Sequence, residues 1–292
     1  MDQAEQLRNI IKRQNRARHL ARVVTVTSGK GGVGKSNVSV NLAIELSRLG
    51  ERVVVFDADF GLANVEIMLG IRPKYNLADM MFHGRTLREV ISQGPENIGF
   101  ISGGSGLKEL TNLNRDQIQS LVRMMYELDG IADVVIIDTG AGISNTVMDL
   151  AMASEEVLLV ATPEPTSITD AYALLKTLCH HEEFYANHSK IWMISNRTHG
   201  YREGKELFDK LDAVVTKFLG LNMNYLGYIP YDEKLPKAVM RQQPVTVAYP
   251  NALSSKAIYE LAVLLSNGEG SQGRVSGRGL SGLITRMFRG SY

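Results

Sequence analysis

The run Ser28-Gly29-Lys30-Gly31-Gly32-Val33-Gly34-Lys35-Ser36 restricts this chain more than any other part of its sequence. It follows a β-branched stretch at 23–27 and precedes a helically spaced segment at 36–49, the strand–loop–helix setting that a GxxxxGK[ST] phosphate loop requires. Glycines let backbone N–H groups curl around phosphate oxygens where a Cβ would clash. The helix start beyond Gly34 adds the positive end of its dipole. Lys35 is expected to bridge the β- and γ-phosphates and the Ser36 hydroxyl to ligate Mg²⁺. The nucleotide-binding run is thus Gly29, Lys30, Gly31, Gly32, Val33, Gly34, Lys35, Ser36 and Asn37.

The rest of the chain alternates short apolar runs with helical patterns. Strands are expected at 23–27, 52–57, 133–138, 157–161, 190–195 and 225–229. Helices are expected at 36–49, 114–128, 144–153, 167–181, 203–219 and 252–266. Apolar runs without alternation indicate strands covered on both faces, hence an α/β, doubly wound, mostly parallel sheet with helices on both faces. With 292 residues the chain can bury a full core. It has no apolar run long enough to span a membrane and no export signal. Its single cysteine, Cys179, excludes an internal disulfide, a cysteine zinc site and a cysteine-ligated cluster within one chain. A cytoplasmic location is expected.

Acidic residues fall at strand ends beside the loop, where an α/β sheet binds ligand. Asp57 and Asp59 close the second strand, and Asp138 closes Val134-Val135-Ile136-Ile137, the Walker B form. Ser36, Asp57 and Asp138 form the expected Mg²⁺ set, with Asp138 acting through water. Thr139-Gly140-Ala141-Gly142 reads as a switch loop, with Gly142 offering a free N–H to a γ-phosphate.

The sequence GKGGVGKS, with its second lysine, resembles the deviant Walker A loop of the MinD/ParA superfamily of P-loop ATPases. That resemblance implies ATP and Mg²⁺ as cofactors, slow ATP hydrolysis, and an ATP-bound homodimer in which Lys30 acts on the partner's nucleotide, as an arginine finger does. It implies catalytic roles for Lys30, Lys35 and Asp59, the last as the group that orients the attacking water. It also implies an adenine cradle from Asn196 and Arg197 on one strand end and Pro230 and Asp232 on the next. Asp170 matches a family aspartate near the second lysine. Many members carry proline where this chain has Gly140.

Charge is uneven. Residues 1–22 hold six Lys/Arg against Asp2 and Glu5, and residues 267–292 hold four Arg against Glu269. With net charge +1, the body between these ends is −6. The expected organisation is a partner-activating segment at 1–21, a P-loop ATPase domain at 22–266, a Gly/Ser/Arg-rich linker at 267–279 and a C-terminal amphipathic helix at 280–292. The N-terminus resembles the DQAxxLR motif of the FlhG (YlxH/FleN) branch, which sets flagellar number or placement. The resemblance implies that Gln3, Leu7 and Arg8 activate an FlhF-like, SRP-type GTPase, and that a flagellar transcription regulator or switch-complex protein is a further partner. Leu280, Leu283, Ile284, Met287 and Phe288 share one helical face, suited to an anionic membrane surface. The expected location is therefore peripheral, on the inner face of the cell membrane and polar. The alternatives are a MinD-like division-site regulator, disfavoured by the N-terminal extension, and a ParA-like DNA partitioner, disfavoured by the acidic body. A nucleotide-sensing adaptor without turnover is a third.

Overall fold

A computed structural model of the chain describes residues 20–59, 64–104, 127–181 and 190–267. The expectations for the N-terminal segment and the C-terminal helix, and the helix expected at 114–128 except for its last two positions, lie outside the described residues.

Eight strands form one sheet: β1 (Arg22–Thr27), β2 (Val53–Ala58), β3 (Ser92–Gln93), β4 (Gly99–Ile101), β5 (Val134–Thr139), β6 (Glu156–Ala161), β7 (Lys190–Thr198) and β8 (Asn224–Pro230). The spatial order is β3-β4-β2-β5-β1-β6-β7-β8. All neighbours pair parallel except β3 with β4. The helices are α1 (Lys35–Arg48), α2 (Asn64–Leu69), α3 (Leu77–Phe82), α4 (Leu87–Val90), α5 (Asn145–Ala153), α6 (Pro165–Cys179), α7 (Tyr201–Leu219), α8 (Lys234–Met240), α9 (Val245–Ala248) and α10 (Leu253–Asn267). The expected doubly wound, mostly parallel fold is the one observed.

Successive residues of the inner strands feed opposite layers. Val24, Val26, Val55 and Ile136 pack into the layer under α1 and α10. Val23, Val54, Val135 and Ile137 pack into the layer that holds α3 and α4, and Val157, Leu159 and Met193 into that of α6 and α7. Each of these side chains is almost fully buried, which is why no polar alternation marks the strands. Fully burying one Val, Leu or Ile contributes roughly 1.5–3 kcal/mol.

Two roots of the chain meet at the N-terminal edge of the sheet. The Arg22 guanidinium donates to Glu156 Oε2 (2.7 Å) and to the Leu265 carbonyl (2.8 Å), while Trp192 Nε1 donates to the same Glu156 oxygen (2.7 Å). The start of β1 and the end of α10 are thereby pinned together. A strand of six residues separates this edge from the phosphate loop by about 17 Å.

β7 runs three residues past its expected end, through a bulge between Asn196 and Thr198 with Arg197 at φ 58°. Strands β3 and β4 and the short helices α2, α3, α4, α8 and α9 were not expected from the sequence.

Candidate nucleotide site

The parallel register sets the acids. Asp138 pairs with Asp57 on β2 and with Val26 on β1, so both carboxylates stand in one row just before the loop leaves β1. Both are buried. Burial, and then the charge of Asp138, push Asp57 up to about 8, opposed by N–H donors from Asp59 (3.1 Å) and Val65 (3.3 Å). Burial pushes Asp138 up to about 6, against hydroxyl bonds from Ser36 and Ser39 and the charge of Lys35. Ser39 Oγ donates to Asp138 Oδ1 at 2.8 Å, and Asp138 Oδ2 is buried without a hydrogen-bond partner. Two crowded carboxylates, one orphaned oxygen and the Ser36 hydroxyl form an oxygen-only donor set beside the loop, which suits Mg²⁺.

The loop is held open by its neighbours. Gly32 and Gly34 have φ 76° and 99°. Gly34 precedes α1 with no side-chain cap, so the first N–H groups of the helix face the loop unclaimed by any capping side chain. A Cβ on Gly29 would lie 2.1 Å from the Asp170 backbone, so the loop rests directly on α6. Asp170 therefore meets the loop through its main chain. The Lys35 ammonium is buried, which lowers its pKa against the pull of Asp138, and it donates to Ser28 Oγ (3.0 Å). Ser28 Oγ in turn donates to the Lys30 carbonyl (2.7 Å).

The two lysines point to different places. Lys35 lies inside, toward Asp138. Lys30 lies on the rim, where its ammonium donates to the Glu164 carboxylate and to Thr166 Oγ1 (2.8 Å). Lys30 holds the Glu164 carboxyl below its ordinary value.

One expectation is corrected. The Gly142 N–H is not free; it donates to the Ser28 carbonyl (2.9 Å). The switch loop after β5 is tied to the phosphate loop through the backbone, because Gly142, at φ 90°, turns its N–H back toward β1. Gly140 lies against Asp59: a Cβ there would be 3.5 Å from Asp59 Oδ1, an ordinary contact.

The residues expected to cradle the base carry internal bonds. Asn196 is buried; its Nδ2 donates to the Val33 carbonyl (2.7 Å) and its Oδ1 accepts the Arg197 N–H (2.9 Å). It braces the phosphate loop against β7. Asp232 Oδ2 accepts the N–H (3.0 Å) and hydroxyl (2.9 Å) of Ser254, and Oδ1 accepts the Lys234 N–H (2.8 Å). Burial raises the Asp232 carboxyl, but these bonds outweigh it and hold the group low. Arg197 is exposed and Pro230 ends β8.

Reasoning from sequence missed Ser28, Ser39, Glu164 and Thr166. Ser39 lies four residues beyond Lys35, on the same helix face, and that spacing was its available signal. Glu164 and Thr166 had none, being more than 130 residues from Lys30.

Comparisons with known proteins agree with this geometry. Residues 24–245 match the family described as the CobQ/CobB/MinD/ParA nucleotide binding domain. The antiactivator FleN of Pseudomonas aeruginosa is 42% identical over 244 residues, covering 84% of this chain and 86% of that protein. The flagellum site-determining protein YlxH of Helicobacter pylori is 32% identical over 269 residues, covering 91% and 89%. Among solved structures, the septum site-determining protein MinD of Pyrococcus horikoshii, complexed with Mg-ADP, aligns with TM-score 0.67 at 22% identity over 88% of this chain and 100% of that one. A ParA family ATPase of Chlorobium tepidum aligns with TM-score 0.68 at 23% identity, covering 84% and 99%. The chain belongs to the CobQ/CobB/MinD/ParA nucleotide-binding family, as an FlhG-like member of its MinD/ParA group.

Proposed function

We propose that this protein is a slow, Mg²⁺-dependent ATPase that dimerises when it holds ATP and associates with the membrane as a dimer, and that it sets flagellar number or placement. The observation that carries the reading is the divergence of the two lysines. Lys35 is buried where it meets a bound nucleotide of its own chain, whereas Lys30 stands on the exposed rim, able to reach a second chain. A cation arriving from a partner offsets charge that develops on the transferred phosphoryl group.

The roles follow from position. The loop N–H groups and the start of α1 bind phosphate. Ser36, Asp57 and Asp138 hold Mg²⁺, which neutralises phosphate charge when bound. Asp59, which directly follows β2 on the loop side of the sheet, orients the attacking water rather than abstracting its proton. Asn196, Arg197, Pro230 and Asp232 shape the base end.

The names of the relatives, antiactivator FleN and flagellum site-determining protein YlxH, support the flagellar reading. The segment at 1–21 activates an SRP-type GTPase, and the helix at 280–292 binds anionic lipid. One amphipathic tail binds weakly; two on a dimer gain effective concentration. Among the described residues no helix is long and apolar enough to cross a membrane.

The test is sizing and vesicle flotation with ADP and with a non-hydrolysable ATP analogue. A dimer that floats with the analogue alone is expected. A chain that stays monomeric with analogue and Mg²⁺, on vesicles as in solution, overturns the reading.

A further inference from the structure

The carboxylate proposed to orient water is itself held. Asn64 Nδ2 donates to Asp59 Oδ2 (3.1 Å). The same short stretch is closed a second time by Asp57, which accepts the N–H of Asp59 and the N–H of Val65. Asn64 is the first residue of α2, and α2 is clamped: Val65, Met68 and Leu69 are buried in the layer under α1. On its other side the Glu66 carboxylate accepts the hydroxyl of Ser102, just beyond β4. At the turn after α2, Gly70 lies so close to the Gln242 carbonyl that a Cβ would come within 2.7 Å of it. Asn64 is thus a donor on a fixed base, aimed at one oxygen of Asp59, while Gly140 flanks the other oxygen without crowding it.

We propose that Asn64 is a positioning residue for ATP hydrolysis. Its amide fixes the plane of the Asp59 carboxylate and occupies Oδ2, so that Oδ1 is the oxygen offered to water. A neutral amide does this without adding charge beside a triphosphate. This rests on the ATPase reading of Asp59 given above. The competing role for an asparagine at the start of a helix is capping, which stabilises the helix and leaves catalysis alone. The bond to Asp59 uses the Nδ2 donor of Asn64, the half of the amide that a cap, which accepts helix N–H groups, leaves unused.

The experiment uses the full-length chain with Mg-ATP, reading kcat, KM, ATP-analogue-dependent dimerisation and the midpoint of thermal unfolding. Asn64→Ala is expected to lower kcat by roughly 10- to 100-fold, the scale of a misaligned reacting group, with KM and dimerisation unchanged. Asn64→Ser separates the two roles. Serine caps a helix as well as asparagine and adds no charge, but its hydroxyl is one bond too short to reach Asp59 Oδ2, so capping predicts wild-type kcat whereas positioning predicts a loss close to that of the alanine variant. In single-turnover measurements, adding Asn64→Ala to Asp59→Ala should cost nothing further, because the two residues act as a unit. A wild-type rate in Asn64→Ser, or an equal loss from Asn64→Ala with and without Asp59, overturns the proposal. If Asp59→Ala alone leaves hydrolysis intact, the ATPase reading of Asp59 fails first, and that outcome is distinct from failure at Asn64.

Discussion

Lys30 and Glu164 pair across the mouth of the nucleotide site within one chain, with Thr166 completing the contact. The Lys30 side chain is partly and the Glu164 side chain largely open to solvent, at 34% and 53%. Exposed pairs of this kind contribute little. On the dimer reading proposed above, such a pair yields Lys30 to the partner's triphosphate, and the contact with Glu164 is the lysine's resting place. Lys30→Ala is expected to abolish ATP-dependent dimerisation, read by light scattering with a non-hydrolysable analogue. Glu164→Gln should tighten the dimer only a few-fold. A dimer stabilised a hundredfold by Glu164→Gln would mean that the resting contact is a lock.

The glycines of the loop are not equivalent. Gly29 abuts the Asp170 backbone, where an added Cβ would sit at 2.1 Å, while the nearest atom to a Cβ on Gly31 is Ala141 Cβ at 3.8 Å. Gly29→Ala must push the loop off α6, and is expected to weaken nucleotide binding tenfold or more and to lower the unfolding midpoint. Gly31→Ala should leave the midpoint unchanged. Titration with a fluorescent ATP analogue and a thermal melt on each variant check both.

The phosphate loop, the row of acids and the parallel sheet were legible because each is written locally: a glycine pattern, apolar runs, and an acid at the end of two of those runs, Asp57 and Asp138. Strands β3 and β4 were not, since two and three residues carry no period. Helices α3 and α4 left a capping box each, Asn76 with Asp79 and Thr86 with Glu89, but six and four residues are too short for an apolar stripe. The bonds that fix the working parts span long stretches of chain: 163 residues from Asn196 to Val33 and 134 from Lys30 to Glu164. No local pattern encodes them. Gly142 was misread for the same reason, because its partner, the Ser28 carbonyl, belongs to a neighbouring loop.

Asp57 gives the protein a pH dependence with a definite sign. Its carboxyl is pushed from an ordinary 3.8 up to about 8 in the folded chain. Between those values the folded state binds more protons than the unfolded state, so stability falls as pH rises. Without nucleotide or Mg²⁺, urea unfolding should show a midpoint that declines from about pH 4 to about pH 8. Asp57→Asn, which buries a neutral amide in place of the acid, should reduce this slope, leaving the part that Asp138 contributes between about pH 4 and about pH 6, and stabilise the chain most at the alkaline end. A slope unchanged in Asp57→Asn would remove Asp57 as its cause.

Asp232 has two candidate jobs, and they respond differently to substitution. Its carboxylate caps the start of α10 from another segment through the Ser254 N–H and hydroxyl, and it closes its own turn through the Lys234 N–H. Loss of a helix cap costs about 0.5–2 kcal/mol, and in a domain of this size each kcal/mol moves the melting midpoint by roughly 2–4 °C. Asp232→Ala should therefore melt several degrees lower and bind ATP more weakly, as the turn after β8 and the start of α10 lose their tie. Asp232→Asn keeps an oxygen acceptor and accordingly should recover most of both losses. If the carboxylate instead reads the adenine edge directly, affinity stays low in Asp232→Asn while the melting midpoint returns. Parallel melting and ATP-binding curves on the two variants decide between a brace and a base contact at this end of the site.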